Sequence, residues 1–150
     1  MKKIIAAALL ATLAVPAAAE SDDLVRVKAG GAVDKTMDAL QMAVEAAGAT
    51  VFARVDHAKG AEEAGMYLRP EELLIFGNPQ LGSLVMQDNP LAGLYLPTKV
   101  LVYEDADGQT WLVYEEPEEM LDGLDLPEDA EYLQKMDAAL KNLTTEAAGG

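Results

Sequence analysis

The chain has 150 residues, with 26 Asp+Glu against 11 Lys+Arg and a formal charge of −15. Such an acidic surface repels phosphate backbones and anionic lipid headgroups, so nucleic acid and membrane surfaces are poor partners. The absence of cysteine excludes disulfides, thiolate metal sites and cysteine nucleophiles, and leaves stability to an apolar core in a length that suits one domain.

Met1 to Ala19 reads as a secretory signal peptide. Lys2 and Lys3 precede an apolar run from Ile4 to Val15, and Ala17 and Ala19 give the small-residue cleavage pattern. The run is too short for a membrane span, which needs roughly 20 apolar residues. Cleavage is expected to leave Glu20 first, with 9 Lys+Arg against 26 acids and a formal charge of −17. A periplasmic or secreted location follows as an expectation, with one domain over 20–143 and a flexible tail over 144–150.

Leu24 to Lys28 alternates apolar and polar residues, as a half-buried strand does. Val33 to Ala47 places Val33, Met37, Leu40 and Val44 at helical spacing, with Gly48 as the stop. Thr50 to Val55 is rich in strand formers. Asp56 then stands where an N-cap belongs, before a short helix from His57 that Gly65 ends. Leu73 to Phe76 is a continuous apolar run, which predicts a strand covered on both faces.

Asn78 and Pro79 predict a cap and first position of another helix, bearing Leu81, Leu84, Val85 and Met86. Asn89 to Pro97 is rich in breakers yet apolar, so it packs back over the domain or meets a partner. Lys99–Glu104 and Thr110–Glu115 flank Asp107-Gly108, a hairpin signal in which both turn positions want positive φ. A short helix is expected after Pro117 and a final one from Asp129 to Leu143. The predicted fold class is α+β: a two-layer sandwich with a mixed, largely antiparallel sheet and helices mainly on one face.

The pieces Val55-Asp56-His57, Gly65 with Leu68-Arg69-Pro70, and Leu74-Ile75-Phe76-Gly77-Asn78-Pro79 resemble the domain of unknown function 302 family. Met86, Asn89-Pro90, Gly93, Leu96-Pro97 and the Glu104-Asp105…Gly108…Trp111…Tyr114 hairpin continue the resemblance over about residues 24–122. It implies a compact α+β fold, association as a homodimer, and no settled activity. The chain departs from the pattern at Tyr95, where an acidic residue is usual, and in a helical extension over 126–143.

His57, the only histidine, is the sharpest candidate: imidazole can be a base, a metal ligand or a haem ligand. The bland role is to hold a loop by hydrogen bonding. One histidine falls short of a zinc set; Met66 and Met86 are the thioethers nearest the central motifs, although Met86 at helical spacing suits core filling. Arg69 pairs internally with Asp56 or a nearby Glu, or forms an anion-binding arm with the Asn78-Pro79 helix start. Ser83 lies in no nucleophile motif, so no residue is assigned as catalytic.

The sequence therefore predicts an exported homodimeric binding or interaction domain, not an enzyme, with a site around Asp56, His57, Arg69 and Gly77-Asn78-Pro79. The alternative is a haem- or metal-binding redox carrier using His57 with Met66, Met86 or a dimer mate; the sequence requires no cofactor.

Overall fold

Five strands, with helices covering one face of the sheet they form, set the architecture. In the computed structural model, residues 23–127 and 130–149 are described; the expected signal peptide lies outside them. The strands are β1 (Leu24–Lys28), β2 (Thr50–Asp56), β3 (Glu71–Gly77), β4 (Thr98–Glu104) and β5 (Thr110–Glu115). The helices are α1 (Val33–Ala46), α2 (His57–Glu63), α3 (Pro79–Asp88), α4 (Pro117–Met120) and α5 (Glu131–Ala148). The predicted element order holds throughout.

The sheet order is β1-β5-β4-β3-β2, and every pair is antiparallel. The sheet is thus wholly antiparallel, with no parallel pair to make it mixed. Chain order explains this, because each successive connection after α1 returns the chain to a neighbouring strand in reverse, and α1 alone carries it from one edge to the other.

One sheet face supplies Leu74, Phe76, Val100, Val102, Leu112 and Tyr114, which bury against Met37, Leu40 and Val44 of α1 and Leu140, Leu143 and Ala147 of α5. Each fully buried Leu or Val there contributes roughly 1.5–3 kcal/mol. A second apolar cluster joins Val85 of α3, Ala92, Met120, Leu121, Tyr132 and Met136. At the sheet rim, Arg54 bonds Glu72 on β3 and Asp38 on α1. That guanidinium holds the Asp38 carboxyl below its ordinary range.

Local signals hold where they are local. Gly48 and Gly65 stop α1 and α2 with φ of 75° and 76°. Asp56 Oδ1 accepts from Lys59 N at 2.8 Å, and Asn78 Oδ1 from Gln80 N at 2.9 Å. The hairpin is wider than a two-residue turn: Asp105 N donates to Gln109 O at 2.9 Å, and only Gly108 takes positive φ. Asp105 holds this loop together by accepting from Asp107 N, Gln109 N and Trp111 Nε1. The Trp111 bond first, then those backbone bonds, hold its carboxyl below the ordinary range. Pro90–Leu94 forms a 3-10 turn with Ala92 buried, while Leu91 and Leu94 stay exposed.

Two expectations are corrected. β3 is covered on one face only, since Leu74 and Phe76 are buried but Leu73 and Ile75 only half so. The chain after Leu143 is not a tail: α5 continues to Ala148, with Thr144 and Ala147 buried. Thr144 Oγ1 donates to Leu140 O at 2.7 Å, so the hydroxyl is satisfied within the helix.

Tyr132 ties α5 to the end of α3 by donating its hydroxyl to Asp88 Oδ2 at 3.0 Å. Burial first, then the Asp88 carboxylate, push the phenol up to about 12. A raised folded value means that its stabilising share is complete below the ordinary value of about 10 and is lost as pH rises through 12. In an absorbance titration one tyrosine is expected to ionise about two pH units late, and Tyr132→Phe to remove that phase. A titration of Tyr132→Phe that matches wild type would contradict this assignment.

Candidate functional site

Three of the four predicted site residues share one end of the sheet. Asp56 ends β2 as the cap of α2, and His57, half-buried, opens that helix. Arg69 precedes β3 and reaches Glu104 Oε1 with Nη1 at 3.4 Å; the Glu104 amide donates to Pro70 O. The internal pairing expected for Arg69 is therefore made, with Glu104 as the partner. Beside this pair lies a broad cleft of about 810 Å³, lined by Asp34, Asp56, Glu62, Glu71, Glu72 and Glu104 with Lys59 as its one cation. Asp34, Asp56 and Glu62 are exposed and solvated, Glu72 and Glu104 are already paired with Arg54 and Arg69, and among the described residues no group of three or more His, Cys, Asp or Glu is placed to hold a metal ion.

Asn78 lies elsewhere. Asp56 pairs with Glu72 and Thr50 with Gly77, so antiparallel pairing puts Asn78 at the other end of β3. At 3.4 Å per residue, the two are about 20 Å apart. The expected cluster of Asp56, His57, Arg69 and Asn78 is thus split, and Arg69 does not work with the Asn78-Pro79 helix start. Met66 lies past the far end of α2 from His57, a helix about 10 Å long. Met86 lines a pocket at the Asn78 end. Neither methionine is brought to His57 within the chain.

That pocket, of about 300 Å³, lies between α3, the Gly77–Pro79 turn, the end of β4 and α5. Phe76, Leu81, Leu96, Met136, Leu140 and Leu143 are among the apolar residues that line it. Gly77 sits close beneath Pro97, where an added Cβ would lie 3.5 Å from that residue's own Cβ. The sequence places Gly77-Asn78-Pro79 in a site with Asp56, His57 and Arg69; the structure sets it instead in this pocket, whose far wall is made by α5, distant in sequence.

The feature that sequence reasoning missed is the outer face of the sheet. Register aligns Arg26, Val113, Leu101, Leu73 and Val55 across all five strands. Ile75 and Ala53 extend the apolar area on one side, and Trp111 and Tyr103 on the other. Leu73, Ile75 and Leu101 are half-buried, Val55 is exposed, and none of them belongs to either apolar cluster, whereas Val113 beside them is already buried within the chain. Around them stand Arg26, Lys28 and Lys99 with Glu71 and Glu115. A signal was available: both alternating sets of positions on β3 to β5 are apolar, where a strand facing water on one side would carry polar residues.

These features define a two-layer α+β domain with helices on one face of an antiparallel sheet and an apolar second face. The chain belongs to the family described as "Domain of unknown function DUF302", which matches residues 25–143. The match includes most of α5, so the helical segment read as an extension falls within the family's span. A crystal structure of an uncharacterized conserved DUF302 protein from Bacillus stearothermophilus has the same fold, with a TM-score of 0.77 at 21% identity over 85% of this chain and 99% of that one.

Among curated proteins, the chain is 45% identical over 94 residues to fluoride-specific ion channel FluC 1 of Brucella suis biovar 1 (strain 1330). It is also 45% identical over 94 residues to FluC 1 of Brucella abortus biovar 1 (strain 9-941). Each match covers 63% of this chain but only 37% and 35% of those proteins, so the chain spans about a third of their length.

Proposed function

We propose that this chain acts after export as a homodimeric interaction domain whose interface is the outer face of the sheet. The observation that carries this reading is the apolar row Val113-Leu101-Leu73-Val55 with charges of both signs around it. A two-fold axis sets a patch against itself, so a rim bearing both signs can pair with its own copy. Net charge adds selectivity. Two acidic chains repel each other, yet this face carries Arg26, Lys28 and Lys99 against Glu71 and Glu115, which makes it a favourable place for two copies to meet.

Size agrees. Five strands about 4.8 Å apart and about 20 Å long give a footprint near 500 Å² per copy, so about 1,000 Å² together, the lower bound of a specific interface. Sedimentation of the purified chain is expected to give twice the chain mass at micromolar concentration. A monomer at every concentration up to roughly 100 μM, a range in which even weak dimers form, would overturn the reading.

The fluoride-channel activity named for the relatives is not part of this reading, because the match spans only about a third of their length. No helix among the described residues is long and apolar enough to cross a membrane. The haem or metal alternative with Met66 or Met86 as second ligand gains no support, because His57 stands apart from both within the chain.

A further inference from the structure

We propose that the pocket between α3 and α5 is a binding site for a neutral, largely hydrocarbon small molecule. The site is independent of the sheet-face interface, since it opens on the helical side. Its volume of about 300 Å³ is where small-ligand pockets begin. An apolar cavity of about 150 Å³ holds one benzene, so this one takes about two ring-sized groups.

Charge selects the ligand class. No residue lining the pocket is charged, although the chain carries 37 Asp, Glu, Lys and Arg residues in 150 (26 acidic, 11 basic). A ligand carboxylate or sulfonate would enter without a partner, which is costly, and the acidic field of the protein lowers the local concentration of anions. Ser83 and the Asn78 amide are polar groups in the lining and can serve one hydrogen-bonding group of the ligand.

Small residues hold the space open. Ala139 on α5 and Ser83 on α3 line the pocket and are exposed, so larger side chains at these positions fill the cavity without replacing core. Exposed Ala139→Leu also costs little helix propensity.

The test is fluorescence titration with N-phenyl-1-naphthylamine, a neutral two-part aromatic, beside 1-anilinonaphthalene-8-sulfonate, which adds an anionic group to the same skeleton. The expected result is saturable binding of one neutral dye per chain, with the anion at least tenfold weaker, about the 1.4 kcal/mol that a modest desolvation penalty supplies. Ala139→Leu and Ser83→Leu, each with unchanged circular dichroism, are expected to weaken the neutral dye by at least about tenfold, since lost apolar burial of a ring exceeds 1.4 kcal/mol.

Equal binding of both dyes, or wild-type affinity in both variants, would overturn the proposal. So would binding that appears only when dilution separates two copies, which would make the pocket an interface. Binding by a chain starting at Glu20 but not by the full chain would assign the cavity to the apolar 4–15 segment and also overturn it.

Discussion

Leu101→Glu is expected to give a folded monomer. Leu101 lies at the centre of the outer face, between Leu73 and Val113. In the single chain it is only half-buried, so a glutamate there can remain partly hydrated and costs the fold about 1 kcal/mol in strand preference. Across a two-fold interface the same change acts twice, because each copy brings its own glutamate to the centre. A central interface residue is worth about 2 kcal/mol or more. Two such losses make about 4 kcal/mol, or close to a thousandfold in the dissociation constant. Sedimentation should show the mass halve while the melting transition stays cooperative. A folded variant that keeps the wild-type mass would remove the sheet face as the interface.

The second large effect concerns the end of the chain. Removal of residues 144–150 is expected to lower stability by about 2–4 kcal/mol, the range of losing buried core groups. Thr144 and Ala147 are almost wholly buried, at 0% and 1% exposure. The last turn also brings Ala148 O to the Gly30 amide at 3.1 Å, which fixes the link between β1 and α1. Because a domain of this size has only about 5–15 kcal/mol in hand, the loss is visible in a urea transition. A shortened chain with the wild-type midpoint would mean that these residues behave as the polar tail their composition suggests.

Thr-Thr-Glu-Ala-Ala-Gly-Gly at the end of the chain lacks large apolar residues, so periodicity carries no signal of a helix there; its small side chains at Thr144 and Ala147 are buried where α5 packs on α1 and β1. The LLIF run in β3 predicts a doubly covered strand because a continuous apolar stretch has no alternation. Its second apolar set faces outward, and only the positions of the helices reveal that. The Asp56–His57–Arg69–Asn78 grouping is split for a geometric reason. Arg69 and Asn78 flank the two ends of one strand, β3, and antiparallel pairing brings only the Arg69 end to Asp56 and His57, so adjacency of motifs along the chain is not adjacency in space.

Pairing between acids and bases was legible only in kind. Arg69 was expected to find a carboxylate, and the hairpin strand supplied Glu104. Arg54, unremarked in the sequence, holds α1 to the sheet through Asp38 and Glu72. Neither partner could be chosen before strand register was known, because a shift of one residue turns every side chain to the other face.

The sequence by itself determined the order of strands and helices, the caps at Asp56 and Asn78, the stops at Gly48 and Gly65, and the family motifs. All depend on interactions within a few residues, or on periodicity that survives in one dimension. Tertiary structure alone decided that one sheet face is left without helices, that α5 closes a pocket against α3, and that Asn78 lies a strand length from His57. These are consequences of the β1-β5-β4-β3-β2 order, which is set by the pairing of residues far apart in the chain.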